Sequence, residues 1–322
     1  MIPLHQILAI CTEAEFEEAA LQLFRYQATA CEPYRRYIHL LGMEPEEVSM
    51  VRKIPFFPVE LFKSENVYCS SGKPEKIFTS STTTGGVPSK HYLSSLEEYK
   101  QTCRKAFGHF WSAVEEWSFY CLLPSYLERE GSSLVVMAED FIKRGGGGFY
   151  LRDHETMVAA MASDPKPKIL LGVTYALLDL AERLAPKLHN TVIMVTGGMK
   201  GRRPEMPQKE LHETLCAAFG VAQIASEYGM CEMMSQGYSR GGGIFEMPPW
   251  VRLWVRDINA PADISTQGRG GINIIDLANR ESCAFLQTQD MGMLHPEGRF
   301  EVLGRIAGSD IRGCNLLIES NF

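Results

Sequence analysis

The feature that most constrains the fold is a change of rhythm along the chain. Segments 117–123, 169–173, 191–196 and 221–225 are short apolar runs that read as strands. Segments 175–184 and 208–219 between them read as helices, the second stopped by Gly220. Segment 133–142 is short and apolar and suits either a strand or a helix, and the glycine run at 143–148 (KRGGGG) reads as a flexible loop. From Trp250 onward the helical spacing fades, and segments 251–256, 271–276, 284–287 and 300–303 read as strands. The chain is thus expected to be α/β through its middle and β-rich over 250–322. Residues 1–53 read as a helical region, with Phe16, Ala19, Ala20, Leu23 and Phe24 on one face. Residues 54–322 form the remaining unit, entered through an apolar connector, 54–63, that leads to Lys63. A further helix is expected from Ser94, with Ser94 or Ser95 as cap and Glu97 and Glu98 in its first turn.

Bulk chemistry excludes several classes. The 322 residues carry 32 Lys and Arg against 39 Asp and Glu, a formal charge of -7. That balance argues against a general nucleic-acid binder, which needs a basic footprint. No apolar run is long enough to span a bilayer, so no stable membrane insertion is expected. The first residues lack a basic start, and the nine cysteines are scattered without a CxxC pair. A secreted disulfide framework and a zinc site are both disfavoured, and free thiols fit a reducing cytoplasm.

Local segments then suggest chemistry, each with a plainer alternative beside it. In 79–90 (TSSTTTGGVPSK), six consecutive hydroxyl residues precede Gly85 and Gly86. Backbone N–H groups and hydroxyls in such a loop can cradle phosphate oxygens, and the same composition also makes a polar surface turn. The segment SEYGMCE, 226–232, follows a strand-like run, so Glu232 would sit where open α/β sheets bind ligands and could ligate Mg²⁺. A tight turn at Gly229 with a solvated Glu232 and a core Tyr228 is the alternative. Asp290 ends the strand-like FLQTQD, and a carboxylate there can hold a ribose or simply face water. GRIAGSDIRGC, 304–314, joins Arg305, Asp310 and Arg312 to three glycines and reads as a ribose or phosphate clamp or as a charged hairpin. His91 and His295 could act as base or positioner for a reacting carboxylate, but read first as satisfied surface residues.

The order of these elements resembles the adenylate-forming superfamily, whose members include acyl-CoA synthetases, firefly-type luciferases and peptide-synthetase adenylation domains. Ser80–Gly85 stands where that superfamily has SSGTTG, Tyr228–Glu232 matches YGxTE, and Thr288-Gln289-Asp290 matches TGD. Gly304-Arg305 and Asp310–Gly313 approximate its hinge motif. Within it, IPFFPVELFKS, TGGMKGRR, SEYGMCEMMSQ and FEVLGRIAGSDIRGCNLL are similar to the acyl-protein synthetase (LuxE) family, and phenylacetate–CoA ligases are the next relatives. The likeness runs from about Ile54 onward.

The resemblance implies an adenylate-forming N-terminal domain type, with stacked sheets, packed helices and a β-rich end, lacking the small C-terminal domain. It implies ATP and Mg²⁺ as cofactors and a fatty, long-chain carboxylic acid as substrate. The acid becomes an acyl-AMP, and the acyl group passes to a protein cysteine and on to a reductase or carrier partner. Ser81, Thr82, Thr83, Thr84 and Gly85 would hold phosphates, and Gly197, Gly198 and Tyr228 would flank the adenine. Glu232 would bind Mg²⁺, and Asp290 and Arg305 would take the ribose. Three departures stand out: Thr82 replaces a loop glycine, Cys231 replaces a threonine, and the family's catalytic lysine has no counterpart. Lys200 is a candidate substitute, or else a solvated lysine. Cys314 is the candidate acyl acceptor, with Arg312 to favour its thiolate, or else a small buried residue, and Cys231 is the backup. A CoA ligase and a non-catalytic nucleotide- or acyl-binding subunit remain as alternatives.

Overall fold

The computed structural model describes residues 1–81, 86–124, 131–151, 153–199, 202–204 and 206–306. The apolar runs in the middle of the chain lie side by side as strands β4 (Ser118–Leu122), β5 (Gly147–Phe149), β6 (Lys168–Val173), β7 (Thr191–Thr196) and β8 (Ala225–Tyr228). Their order is β5-β4-β6-β7-β8, all parallel, with β9 (Gly237–Ser239) closing the edge antiparallel to β8. Every residue of β4 and β6 is buried, which explains why these strands read as continuous apolar runs and not as alternations.

The later strands build a second sheet from β1 (Phe57–Pro58), β10 (Val251–Arg256), β11 (Ile264–Ser265), β12 (Gly268–Asp276), β13 (Phe285–Leu294) and β14 (Phe300–Arg305). Its order is β1-β13-β12-β10-β11, with β14 on the far half of β13. A hairpin of β2 (Lys76–Thr79) and β3 (Lys90–Leu93) stands apart from both.

Helices fill the space around the sheets. The helix Leu96–Phe110 is capped by Ser95, whose hydroxyl accepts from the Glu98 N–H at 3.3 Å. It carries Phe107 into a ring cluster with Phe119, Phe141 and Tyr238 at centroid distances of 5.4, 5.2 and 6.0 Å. At the start of the chain, Glu13–Ala30 closes a capping box between Thr12 and Glu15 and buries Phe16, Ala20, Leu23 and Phe24. From the next helix, Glu32–Leu40, Tyr34 stacks on Phe285 at 6.2 Å and meets Phe57 edge-on at 5.8 Å. The N-terminal helices therefore pack against the second sheet through aromatic contacts.

Three local expectations change. The run at 143–148 is not a loop: it ends the helix Ser133–Gly145 and begins β5. Gly147 has φ 96°, and a Cβ there would lie 2.0 Å from the Phe119 carbonyl oxygen, so only glycine lets this strand pair so closely with β4. The fourth apolar strand lies at Ala225–Tyr228 and not at 221–225, because pairing starts where Met194 of β7 meets Ala225. Asp290 sits inside β13 and not at its end, since β14 pairs with Asp290–Leu294 and prolongs the strand.

Candidate active site

Three parts of the fold converge on one cavity. β7 and β8 contribute Thr196, Glu227 and Tyr228 at the C-terminal ends of parallel strands. The β2–β3 hairpin contributes Thr79, Ser80 and Ser81, and β13 and β14 contribute Gln289, Asp290 and Arg305. Strand ends of this kind bind ligands because the loops that follow leave backbone groups and side chains facing one crevice.

The hairpin end is held shut on itself. The Ser89 N–H donates to Ser80 Oγ at 2.9 Å, and the Ser80 N–H donates to the Ser89 carbonyl at 3.1 Å. These bonds extend the pairing by one residue on each side and place Ser81 on the cavity wall. Thr82, Thr83, Thr84 and Gly85 lie outside the described residues, as do Lys200 and Cys314. Gly197 lines the cavity, and its carbonyl accepts from Thr174 Oγ1 at 2.7 Å. Gly198 is half-buried beside it and is not among the lining residues.

At the other end Tyr228 turns its hydroxyl to Asp290, donating to Oδ2 at 2.9 Å, while its ring meets Phe300 edge-on at 5.5 Å. Arg305 faces Asp290 across the β13–β14 pair and donates to Oδ1 at 3.4 Å. Arg305 also donates to Gln289, whose amide in turn donates to Glu60. The Asp290 carboxylate is thus held between a phenol and a guanidinium on the cavity wall.

Glu232 is fully buried and lines the cavity on the turn after β8. Its placement depends on residues far along the chain. The Glu232 carbonyl accepts from Asn279 Nδ2 at 2.8 Å, and His91 bridges the Cys231 carbonyl at 2.8 Å and Asn279 Oδ1 at 3.0 Å. His91 is 1 % exposed, so the expectation of a surface histidine is overturned; β3 carries it inward under the hairpin. Burial pulls its pKa down, against the upward pull of the two oxygens and of Glu232. His295 is half-exposed and pairs with Glu301 at 2.6 Å. Asp276 anchors the next residues: it accepts from the Met234 and Ser235 N–H groups, each at 2.9 Å, and from Ser235 Oγ at 2.7 Å. Among the described residues no group of three or more Asp, Glu, His or Cys could hold a metal ion by itself. A Mg²⁺ ion that arrives on a nucleotide needs only one or two carboxylates beside the phosphates, and Glu232, which lines the same cavity as Ser80 and Ser81, fits that need.

Glu227 and Gln236 are among the wall residues that the sequence did not mark as site residues. Glu227 is buried, and Thr196 Oγ1 donates to its Oε2 at 2.6 Å. Burial pushes its carboxyl up to about 7, opposed by the Thr196 bond. Gln236 lines the same wall and is 4 % exposed. The only sequence signal for Glu227 is a charge inside a run that otherwise pairs as a buried strand.

The raised pKa carries a stability consequence. Below pH 4.5 the Glu227 carboxyl is protonated in both folded and unfolded chains. Between that pH and about 7 the unfolded group ionises while the folded one keeps its proton, so stability falls as pH rises through this window. Glu227→Gln removes this term. The unfolding free energy of the variant relative to wild type is expected to rise by about 2 to 3 kcal/mol between pH 5 and pH 8. Urea unfolding at the two pH values measures it, and an unchanged difference means the native carboxyl is already ionised at the lower pH.

No protein-family model matches this chain, and no curated protein matches it in sequence. Solved structures do. A 2-hydroxyisobutyryl-CoA ligase in an open conformation, in complex with 2-HIB-AMP and CoA, matches with a TM-score of 0.66 at 14% identity, covering 94% of this chain and 78% of that one. The same ligase in its thioesterification state gives 0.68 at 14% identity over 97% and 74%. The fold is that of the adenylate-forming ligases. ATP-bound MatB from Rhodopseudomonas palustris shares this adenylate-forming fold less completely, with a TM-score of 0.56 at 17% identity over 75% of this chain and 51% of MatB. The chain thus spans about half of MatB's length.

Proposed function

We propose that this chain activates a carboxylic acid with ATP as an acyl-adenylate and passes the acyl group to a thiol. The observation that carries the reading is the meeting of Ser81, Glu232, Asp290 and Arg305 on one cavity wall at the ends of β7 and β8. In the first half-reaction the acid's carboxylate oxygen attacks the α-phosphorus, the bond to pyrophosphate breaks, and pyrophosphate leaves. The Ser80 and Ser81 segment faces the phosphates, and Asp290, held between Tyr228 and Arg305, accepts the ribose hydroxyls. Glu232 would hold a Mg²⁺ ion brought by the nucleotide, whose charge would neutralise that of the phosphates. In the second half-reaction a thiolate attacks the acyl carbon and AMP leaves.

The resemblance read in the sequence favours Cys314 as that thiol, Lys200 as a source of positive charge, a fatty acid as the carboxylate, and a reductase or carrier protein as the final acceptor. Coenzyme A is the second reading, supported by its presence in solved ligases of this fold. Mass spectrometry of the chain after incubation with ATP, Mg²⁺ and a panel of acids separates the two. The expected product is a hydroxylamine-labile mass gain equal to the acid less one water, absent from Cys314→Ser. Equal labelling of Cys314→Ser removes that cysteine from the mechanism. A CoA thioester formed without any protein label makes the chain a CoA ligase.

A further inference from the structure

Glu227 and Tyr228 are adjacent on β8, and strand geometry sends their side chains to opposite faces. Tyr228 goes to Asp290 and the nucleotide end of the cavity. Glu227 goes to the opposite side, toward the helix Leu96–Phe110 and β9, where its charge acts on Tyr99, Cys103 and Tyr238. The wall on this side carries Tyr99, Ser132, Ser133, Met137 and Gln236 together with Glu227.

Hydrogen-bonding capacity is left over on this wall, and the Tyr238 hydroxyl near Glu227 is itself buried without a partner. Glu227 Oε2 takes the Thr196 hydroxyl, and among the described residues Oε1 accepts no hydrogen bond. A Cβ on Gly229 would lie 2.7 Å from Oε1, so the glycine keeps the space in front of that oxygen clear. Gln236 Oε1 is buried without a partner, its amide nitrogen being committed to the Met234 carbonyl at 3.3 Å. Among the described residues no cation forms an ion pair with Glu227. Acceptors left without donors cost free energy once a ligand covers them, so Glu227 Oε1 and Gln236 Oε1 are complementary to a donor brought by a ligand.

We infer that Glu227, with Gln236 beside it, reads a hydroxyl or ammonium group on the chain of the substrate acid, so that the acid accepted, a fatty acid included, carries such a group on its chain. The inference rests on the acid-activation reading, because that reading puts the carboxylate at the nucleotide end and the acid's chain against Glu227. An alkyl chain laid there would bury the carboxyl and the Gln236 oxygen against hydrocarbon and satisfy neither.

The test uses the full chain and matched acids: butanoate, hexanoate and octanoate, each with its ω-hydroxy and ω-amino counterparts. ATP–pyrophosphate exchange is measured for wild type, Glu227→Gln and Glu227→Leu, with thermal melts to verify folding. Wild type is expected to favour a donor-bearing acid over its plain partner by about tenfold or more in kcat/KM. Glu227→Gln retains the preference for hydroxyl and loses any for ammonium, and Glu227→Leu turns the preference toward the plain acid. A ratio that is the same in wild type and in folded Glu227→Leu for every pair overturns the inference. Calorimetric binding of the same acids without ATP keeps the two readings apart. Glu227-dependent discrimination in binding, with no exchange for any acid, sustains the inference and defeats the adenylation reading. Exchange without such discrimination does the reverse.

Discussion

Glu232→Gln is expected to lower acid-dependent ATP–pyrophosphate exchange by about 100- to 1000-fold. Glu232 is fully buried, on the cavity wall beside the hairpin end that carries Ser80 and Ser81. Glutamine keeps the shape and the backbone contacts, including the Asn279 bond to the residue 232 carbonyl. What it removes is the negative charge proposed to hold a divalent cation near the phosphates. The loss should therefore fall mainly on the rate and on the Mg²⁺ requirement, with the half-saturating Mg²⁺ concentration raised and ATP binding largely kept. A Mg²⁺ titration of the exchange rate measures both. An unchanged Mg²⁺ dependence together with a normal rate places the cation elsewhere.

Asp276→Ala is expected to destabilise the fold by about 4 kcal/mol. Asp276 is fully buried at the end of β12 and accepts from Met234 N, Ser235 N, Ser235 Oγ and, at 3.2 Å, Ala278 N. Its removal leaves these donors buried without the oxygens they point at, and Ser235 Oγ also accepts from Trp250 Nε1 at 2.9 Å, so the disturbance spreads into the core. In a chain of 322 residues this corresponds to a fall in Tm of roughly 6 °C. Asp276→Asn keeps one acceptor oxygen and should lose about half as much. Differential scanning calorimetry of the two variants decides the matter, and a shift in Asp276→Ala within about 1 °C would show that water replaces the carboxylate. Because the same bonds hold the residues just after Glu232, Asp276→Asn should also slow exchange more than its stability loss accounts for.

The elements that were legible in the sequence are those whose signal is local. The amphipathic spacing of Phe16 to Phe24 marks a helix that runs Glu13–Ala30, and Ser95 with Glu98 marks the next cap. The segment 191–196 is buried over its last four residues and forms β7 over the same bounds. The ambiguous segment 133–142 resolved as the helix Ser133–Gly145, capped by Ser132. The glycine run was misread because its meaning is contact: Gly145 and Gly147 are required by the carbonyls of Trp117 and Phe119, some thirty positions earlier. The candidate site was legible as separate pieces, since Ser81, Tyr228, Glu232, Asp290 and Arg305 do share one cavity. Its supports were not legible, because His91, Asn279 and Asp276 look like ordinary surface polar residues until their partners are known.

The sequence by itself determined the helix and strand periods and the passage from α/β to β, because propensity, capping and patterning act within a few residues of one another. Only the tertiary structure decided which polar groups are buried and what they face. His91 reaches Cys231 across 140 positions and Asn279 across 188. Glu227 and Tyr228, side by side in the chain, face different ends of the cavity because a strand alternates its side chains. Burial then gives each of these groups its meaning: a carboxylate without a cation takes a raised pKa, and one held between Tyr228 and Arg305 becomes a fixed acceptor.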